Sequence, residues 1–234
     1  MPTGWWIGDF LQSGQTAMLF AWIFWVIVSI CLHELGHGVA ALWQGDDTPR
    51  RYGHMTLNPM VHMGGWSLLC FVLIGFAWGM MPVDPSRFRW KRRGRIVVAG
   101  AGPAVNLILA ALLIPAAGLY LAWTNVETLS DLTAQQRNIH QFLFTGGWLN
   151  LALCLFNLLP IPPLDGSQML AGTTNSMYRL FTSPQAAAYG QFILIAVLFS
   201  GVAGVIFGAA NAWARSAMFG VTNLAHQHIF TGSS

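Results

Sequence analysis

Apolar positions in this chain gather into long runs instead of alternating or recurring on one helix face. A helix needs about 20 predominantly apolar residues to cross a hydrocarbon core about 30 Å thick. Four stretches meet that length: about Ala17 to Trp43, Ile96 to Trp123, Phe142 to Ile161 and Ala186 to Ala214. A fifth, Ser67 to Met81, is shorter and is bracketed by Gly64-Gly65 and Met81-Pro82, so it suits a re-entrant segment or a short span. The pattern predicts an all-α polytopic membrane protein of about four to six transmembrane helices. A short re-entrant or β-hairpin segment is expected between the first two. It divides into an N-terminal non-cytoplasmic segment (1–16), a membrane-embedded core (17–170) and a C-terminal part (171–234) with the last helix and tail.

Composition agrees with that class. Of 234 residues, 55% are hydrophobic and only 8% charged, against about 25% charged in ordinary soluble domains. Cys31, Cys70 and Cys154 all lie in apolar segments without CxxC spacing, so neither a disulfide framework nor a cysteine zinc site is indicated. Eight of the eleven basic residues (Arg50, Arg51, Arg87, Arg89, Lys91, Arg92, Arg93 and Arg95) flank the short apolar segment on its two sides. If that segment crossed the membrane, one cluster would be translocated, against the positive-inside tendency. Re-entry with both clusters cytoplasmic is therefore expected, and the net charge of +3 reads as topology and lipid contact. No nucleic-acid motif accompanies it, so no nucleic-acid partner is expected.

The first apolar run ends in His33-Glu34-Leu35-Gly36-His37. Ionisable groups inside a span are costly and usually mark function. On a helix, positions i and i+4 share a face, so His33 and His37 can present nitrogens to one metal ion while Glu34 addresses a water beside it. Zinc acidifies such a water, and a carboxylate can take its proton as it attacks a carbonyl. Sixteen steps of ~1.5 Å from Ala17 put His33 about 24 Å along the span, towards its cytoplasmic end but still within the membrane.

Catalytic zinc takes a third protein ligand and keeps one position open. Cys31, His54, His62, Glu127, His140 and Asp165 are the candidates. Asp165 is favoured because Asn157-Leu-Leu-Pro-Ile-Pro-Pro-Leu-Asp165-Gly166 breaks the third span, and a broken helix at membrane depth belongs where it lines a cavity. The same residues also make an ordinary turn signal.

At these two motifs the chain resembles the site-2 protease family of intramembrane zinc metalloproteases. His33-Glu34-Leu35-Gly36-His37 is similar to the family's zinc helix, and Asn157 through Gly166 to its second signature. The resemblance implies one Zn2+ per chain held by His33, His37 and Asp165, with Glu34 as catalytic base and Asn157 helping to hold substrate or the developing oxyanion. It runs from about Ser29 to Leu170. Arg51 to His62, Pro82 to Arg89 and Ala101-Gly-Pro-Ala-Val-Asn106 look like the compact prokaryotic branch that lacks PDZ and CBS domains. Where relatives carry Asp-Pro after the histidine matching His62, this chain has Met63-Gly64-Gly65. The implied substrates are transmembrane or membrane-associated proteins, in the cell (inner) membrane of a prokaryote; homo-oligomerisation is left open.

A substrate helix must unwind before cleavage, and its freed amides need partners. Thr56-Leu57 and the segment after Gly65 are where a membrane-dipping hairpin would supply a strand edge. Ala99-Gly100-Ala101-Gly102 and Asn106 read as close helix packing and an interhelical hydrogen bond beside the zinc helix. His54 and His62 read as solvated loop residues; His140, His226 and His228 lie far from the motif in sequence. A membrane zinc transporter or a non-catalytic metal-binding membrane protein is the alternative from another class. Such a carrier would be expected to have proline inside the motif and a partner His-Asn-x-x-Asp helix, whereas this chain has Gly36 and no such partner.

Overall fold

The computed structural model describes residues 4–126 and 128–227. Three helices are long and apolar enough to cross a membrane: α2 (Thr16–Trp43), α5 (Lys91–Thr124) and α6 (Ala134–Asn157). Their shorter companions are α1 (Trp6–Gln12), α3 (Thr48–Arg51), α4 (Pro59–Ile74), α7 (Asp165–Ala171), α8 (Asn175–Phe181), α9 (Pro184–Phe199) and α10 (Val202–Ala225). The α8–α9 pair qualifies as a fourth span only if its 63° bend lies within one crossing. The run expected as one span from Ala186 to Ala214 is broken, because Gly201 takes a left-handed conformation (φ 85°) between α9 and α10. Among the described residues there is no β-strand.

Helix α5 is the centre of the bundle and packs on α2, α6, α7 and α10. Lipid tails are as apolar as leucine, so helices here associate through close packing and interhelical hydrogen bonds. Both devices are present. Gly36 of α2 lies against Ala101 and Val105 of α5, and Gly147 of α6 against Ile114. Three fully buried polar side chains join three helices: Asn106 Nδ2 donates to Asn150 Oδ1 (2.8 Å), and Asn150 Nδ2 donates to Ser29 Oγ (2.9 Å).

The segment between α2 and α5 doubles back. Asn58 caps α4 by accepting from the Met60 amide, Pro59 occupies its first turn, and Gly75 at φ 76° ends it. An extended arm, 76–84, then returns beside α4. Ser67 Oγ accepts from the Trp78 amide (2.8 Å) and donates to the Trp78 carbonyl (2.7 Å), and the Met80 amide donates to the His62 carbonyl (2.9 Å). Near the turn, Phe71 packs with Val26 of α2; at the other end Met55 and Met81 press on Gly38. Those α2 positions are 12 residues apart, about 18 Å at ~1.5 Å each, less than a bilayer core. The fold differs from the expected hairpin after Gly65: Gly64, at φ 67° and ψ 169°, kinks the helix that Asn58 and Pro59 start, the chain resumes as helix as far as Ile74, and extended backbone begins only after Gly75.

Both basic clusters meet where α2 ends and α5 begins. Asp47 binds Arg51 (2.6 Å) and Arg87 (2.9 Å), while fully buried Asp46 accepts from the Thr48 and Asp84 amides. Hydrogen bonds from Ser86 and the nearby Arg87 hold the Asp84 carboxyl below the usual range.

Candidate metal centre

His33, Glu34 and His37 are all buried midway along the inner part of α2. Each imidazole has its Nδ1 committed to an oxygen of α5. His37 Nδ1 is 2.7 Å from the Val98 carbonyl, which can only accept, so this nitrogen carries the proton. Pro103 lies within the next turn of α5 and, lacking an amide donor, leaves the neighbouring Ala99 carbonyl without its helical partner. His33 Nδ1 is 2.6 Å from Asn106 Oδ1; the Asn106 amide nitrogen is turned to Asn150, so the oxygen faces the ring. Both Nε2 atoms are thereby left as lone pairs, and they face one another at 3.0 Å. Two facing lone pairs repel unless a cation lies between them.

Asp165 opens α7, where the Leu159-Pro-Ile-Pro-Pro stretch turns the chain back from the end of α6. Gly166 permits the reversal, since a side chain there would run into the Leu159 carbonyl at 2.5 Å. Helix α7 is tied to α5 by Arg95 Nη1 donating to Gln168 Oε1 (3.0 Å). This docking puts Asp165 Oδ2 3.1 Å from His33 Nε2 and Oδ1 3.3 Å from His37 Nε2. The Oδ2 atom is buried without a hydrogen-bond partner.

Those separations of 3.0, 3.1 and 3.3 Å outline one face of a coordination polyhedron. A zinc tetrahedron with bonds of ~2.0–2.1 Å has edges of about 3.3 Å. The donor set, the orphaned carboxylate oxygen and the opposed lone pairs all fit a divalent cation. Gly102 of α5 leaves the room, because a Cβ there would sit 2.6 Å from His33 Nε2. Among the described residues this is the one cluster of three such side chains able to hold a metal ion.

The sequence profile of peptidase family M50 matches residues 21–201. This chain belongs to peptidase family M50. That membership agrees with the resemblance drawn from the two motifs, and the M50 chain is a zinc-dependent metalloprotease and an integral membrane protein. It is 37% identical over 176 residues to the "Putative zinc metalloprotease YwhC" of Bacillus subtilis, covering 74% of this chain and 77% of that protein. It is 30% identical over 240 residues to the "Putative zinc metalloprotease Rip2" of Mycobacterium tuberculosis, covering 98% of this chain and 85% of the relative. The archaeal "Zinc metalloprotease MJ0392" of Methanocaldococcus jannaschii shares 27% identity over 187 residues, 77% of this chain and 44% of its own length. No solved structure matches the chain.

The other candidate ligands lie elsewhere in the M50 fold. Cys31 is buried on α2 outside the cluster, and His140 is buried against Met218 and Phe144 near the start of α6. His226 follows α10; Glu127 and His228 lie outside the described residues. His62 is not solvated: it is 2% exposed, and its Nε2 donates to the Thr56 carbonyl (2.6 Å). His54 packs edge-on against it with ring centroids 5.9 Å apart, and burial together with His62 pushes the His54 pKa below the ordinary histidine value. Asn157 stands at the end of α6, its Nδ2 donating to the Leu153 carbonyl (3.0 Å).

Sequence reasoning understated the support around the histidines. Asn106 was expected to make an interhelical hydrogen bond beside the zinc helix, and its oxygen touches His33 itself; Asn150 and Ser29 behind it were not singled out at all. An asparagine in an apolar run was the available signal. Gly79 of the extended arm is the other addition. It passes so near Glu34 that a Cβ would lie 2.5 Å from Oε1.

Proposed function

We propose that this M50 metalloprotease cleaves peptide bonds of transmembrane or membrane-associated proteins within the bilayer. His33, His37 and Asp165 hold the zinc, Glu34 is the base, and Asn157 steadies the substrate carbonyl. The observation that carries the reading is the convergence of Asp165 on two histidine nitrogens whose opposite ring atoms are already occupied. Zinc, when bound, supplies Lewis-acid polarisation and lowers the pKa of water.

The chain's own groups do the rest. Glu34, almost fully enclosed, accepts the proton of the attacking water and returns it to the leaving amine. Asn106 and the Val98 carbonyl keep both imidazoles in one tautomer and one orientation. Side chains and amides alternate along extended backbone. Trp78 and Met80 turn their amides to Ser67 and His62, so Ala77, Gly79 and Met81 have their polar groups on the opposite edge, beside Glu34. An unwound substrate can add to that edge as a strand, and Gly79 lets it approach the base. The basic end of the bundle lies at the cytoplasmic face of a prokaryotic cell membrane, by the positive-inside tendency.

The test uses the full chain in proteoliposomes with a panel of single-span peptides, read by mass spectrometry of the products. Glu34→Gln is expected to keep zinc and stop cleavage, and Asp165→Asn to lose zinc retention. Normal turnover by Glu34→Gln removes the base assignment. Products cut only outside the apolar stretch remove the intramembrane one.

A further inference from the structure

At the end of the bundle remote from His33 and His37, a cavity of about 310 Å³ opens between the starts of α2 and α6 and the middle of α10. Arg137, His140 and Arg215 line it, together with the amides of Gln15, Gln141 and Asn211. Arg137 and Arg215 are two of only three basic residues outside the clusters at the other end. Among the described residues no carboxylate lines the cavity. Among the described residues neither guanidinium has an ion-pair partner. Arg137 Nη2 donates to the Leu132 carbonyl (3.1 Å) and the Ser130 carbonyl (3.4 Å). Arg215 Nε donates to Asn211 Oδ1 (2.9 Å), and its guanidinium lies over the Phe144 ring. Asp131, the nearest acidic residue along the chain, is engaged as a cap by Thr128.

The cavity's depth limits what can fill it. Phe144 and Met218 line it and share a core cluster with Ile114 and Ala117 of α5. Counting from Ile96, just past the basic cluster, about 20 residues at ~1.5 Å reach this level, which is the far boundary of a core about 30 Å thick. Unpaired cations at that boundary, with Met18, Phe144, Trp148 and Met218 as apolar lining, meet a phosphate above and acyl chains below.

We propose that this cavity binds the headgroup phosphate of an anionic phospholipid, one per chain. Arg137 and Arg215 contact the phosphate, and the amide side chains contact the glycerol portion. The lipid bridges α2, α6 and α10 at the end of the bundle that zinc does not reach. The assignment is independent of the proteolytic reading.

Native mass spectrometry of the full chain in neutral detergent tests it, with dioleoylphosphatidylglycerol against dioleoylphosphatidylcholine as probes and thermal melting as a second readout. One tightly retained phosphatidylglycerol is expected, raising Tm above the phosphatidylcholine sample. Retention should fall about fivefold for each guanidinium removed in Arg137→Gln and Arg215→Gln, with Arg215→Lys intermediate. Arg137→Gln alone carries the test if Arg215→Gln does not fold. Equal retention of the two lipids, or undiminished retention by the double variant, overturns the proposal. So does equal protection by inorganic phosphate, which would make the site one for free anions.

Discussion

Asn106 governs the proposed zinc site although it touches no metal. It holds His33 through Nδ1, and Asn150 and Ser29 hold it in turn. Loss of a partner behind a ligating histidine typically costs 10–100-fold in metal affinity. Asn106→Leu should weaken zinc by about that factor in a chelator competition assay, and an unchanged affinity would show that His33 needs no orienting group. Gly102→Ala is a sharper case. Alanine favours a helix interior over glycine by roughly 0.5–1 kcal/mol, so on propensity alone the variant gains stability. Its Cβ would stand 2.6 Å from His33 Nε2. The expected result is a folded protein with little bound zinc, checked by metal analysis beside a melting curve.

At the scale of the element, the extended arm depends on α4. Fully buried Ser67 makes two hydrogen bonds to one residue, Trp78, as a neighbouring strand would. Removing the hydroxyl leaves a part-buried amide and carbonyl without that partner, each costing up to about 1–3 kcal/mol. Ser67→Ala should therefore lower stability by a few kcal/mol at most and reduce cleavage with zinc content unchanged. A fall in zinc would mean that the arm supports the metal and not the substrate. His54 adds a pH dependence at the base of this hairpin. Its pKa is lowered on folding, so the unfolded chain binds the proton more readily. Its contribution to stability is present above the ordinary histidine pKa and declines as pH falls through it, and His54→Gln should flatten that part of a pH–melting profile.

For the whole molecule, zinc held as proposed would tie α2 to the α6–α7 turn. Helix α7 packs on α5 and α8, and its approach to α2 runs through Asp165. A ligand held at 1,000 times its Kd stabilises by about 4 kcal/mol. Chelation should therefore lower Tm clearly in the wild type and hardly at all in Asp165→Ala. Equal shifts in both would place the stabilising metal elsewhere.

The facing of His33 and His37 was legible in the sequence because it is local: i and i+4 on one helix share a face wherever that helix goes. The membrane class and the small-residue stripe on α5 were legible too, since each follows from runs of residue type. Asp165 was readable as a candidate among six, but its meeting with His33, more than 130 residues away, depends on Gly166 reversing the chain and on α7 docking against α5. The arm was misplaced because the chain resumes as helix after the kink at Gly64, in a stretch whose apolar content suits strand or helix equally. Asn106 showed only as a polar residue in an apolar run, and Gly79 and the arginine-lined cavity had no signal of their own. Their roles are set by distances between helices, and a side chain's distance to another helix is a property of packing that no periodicity encodes.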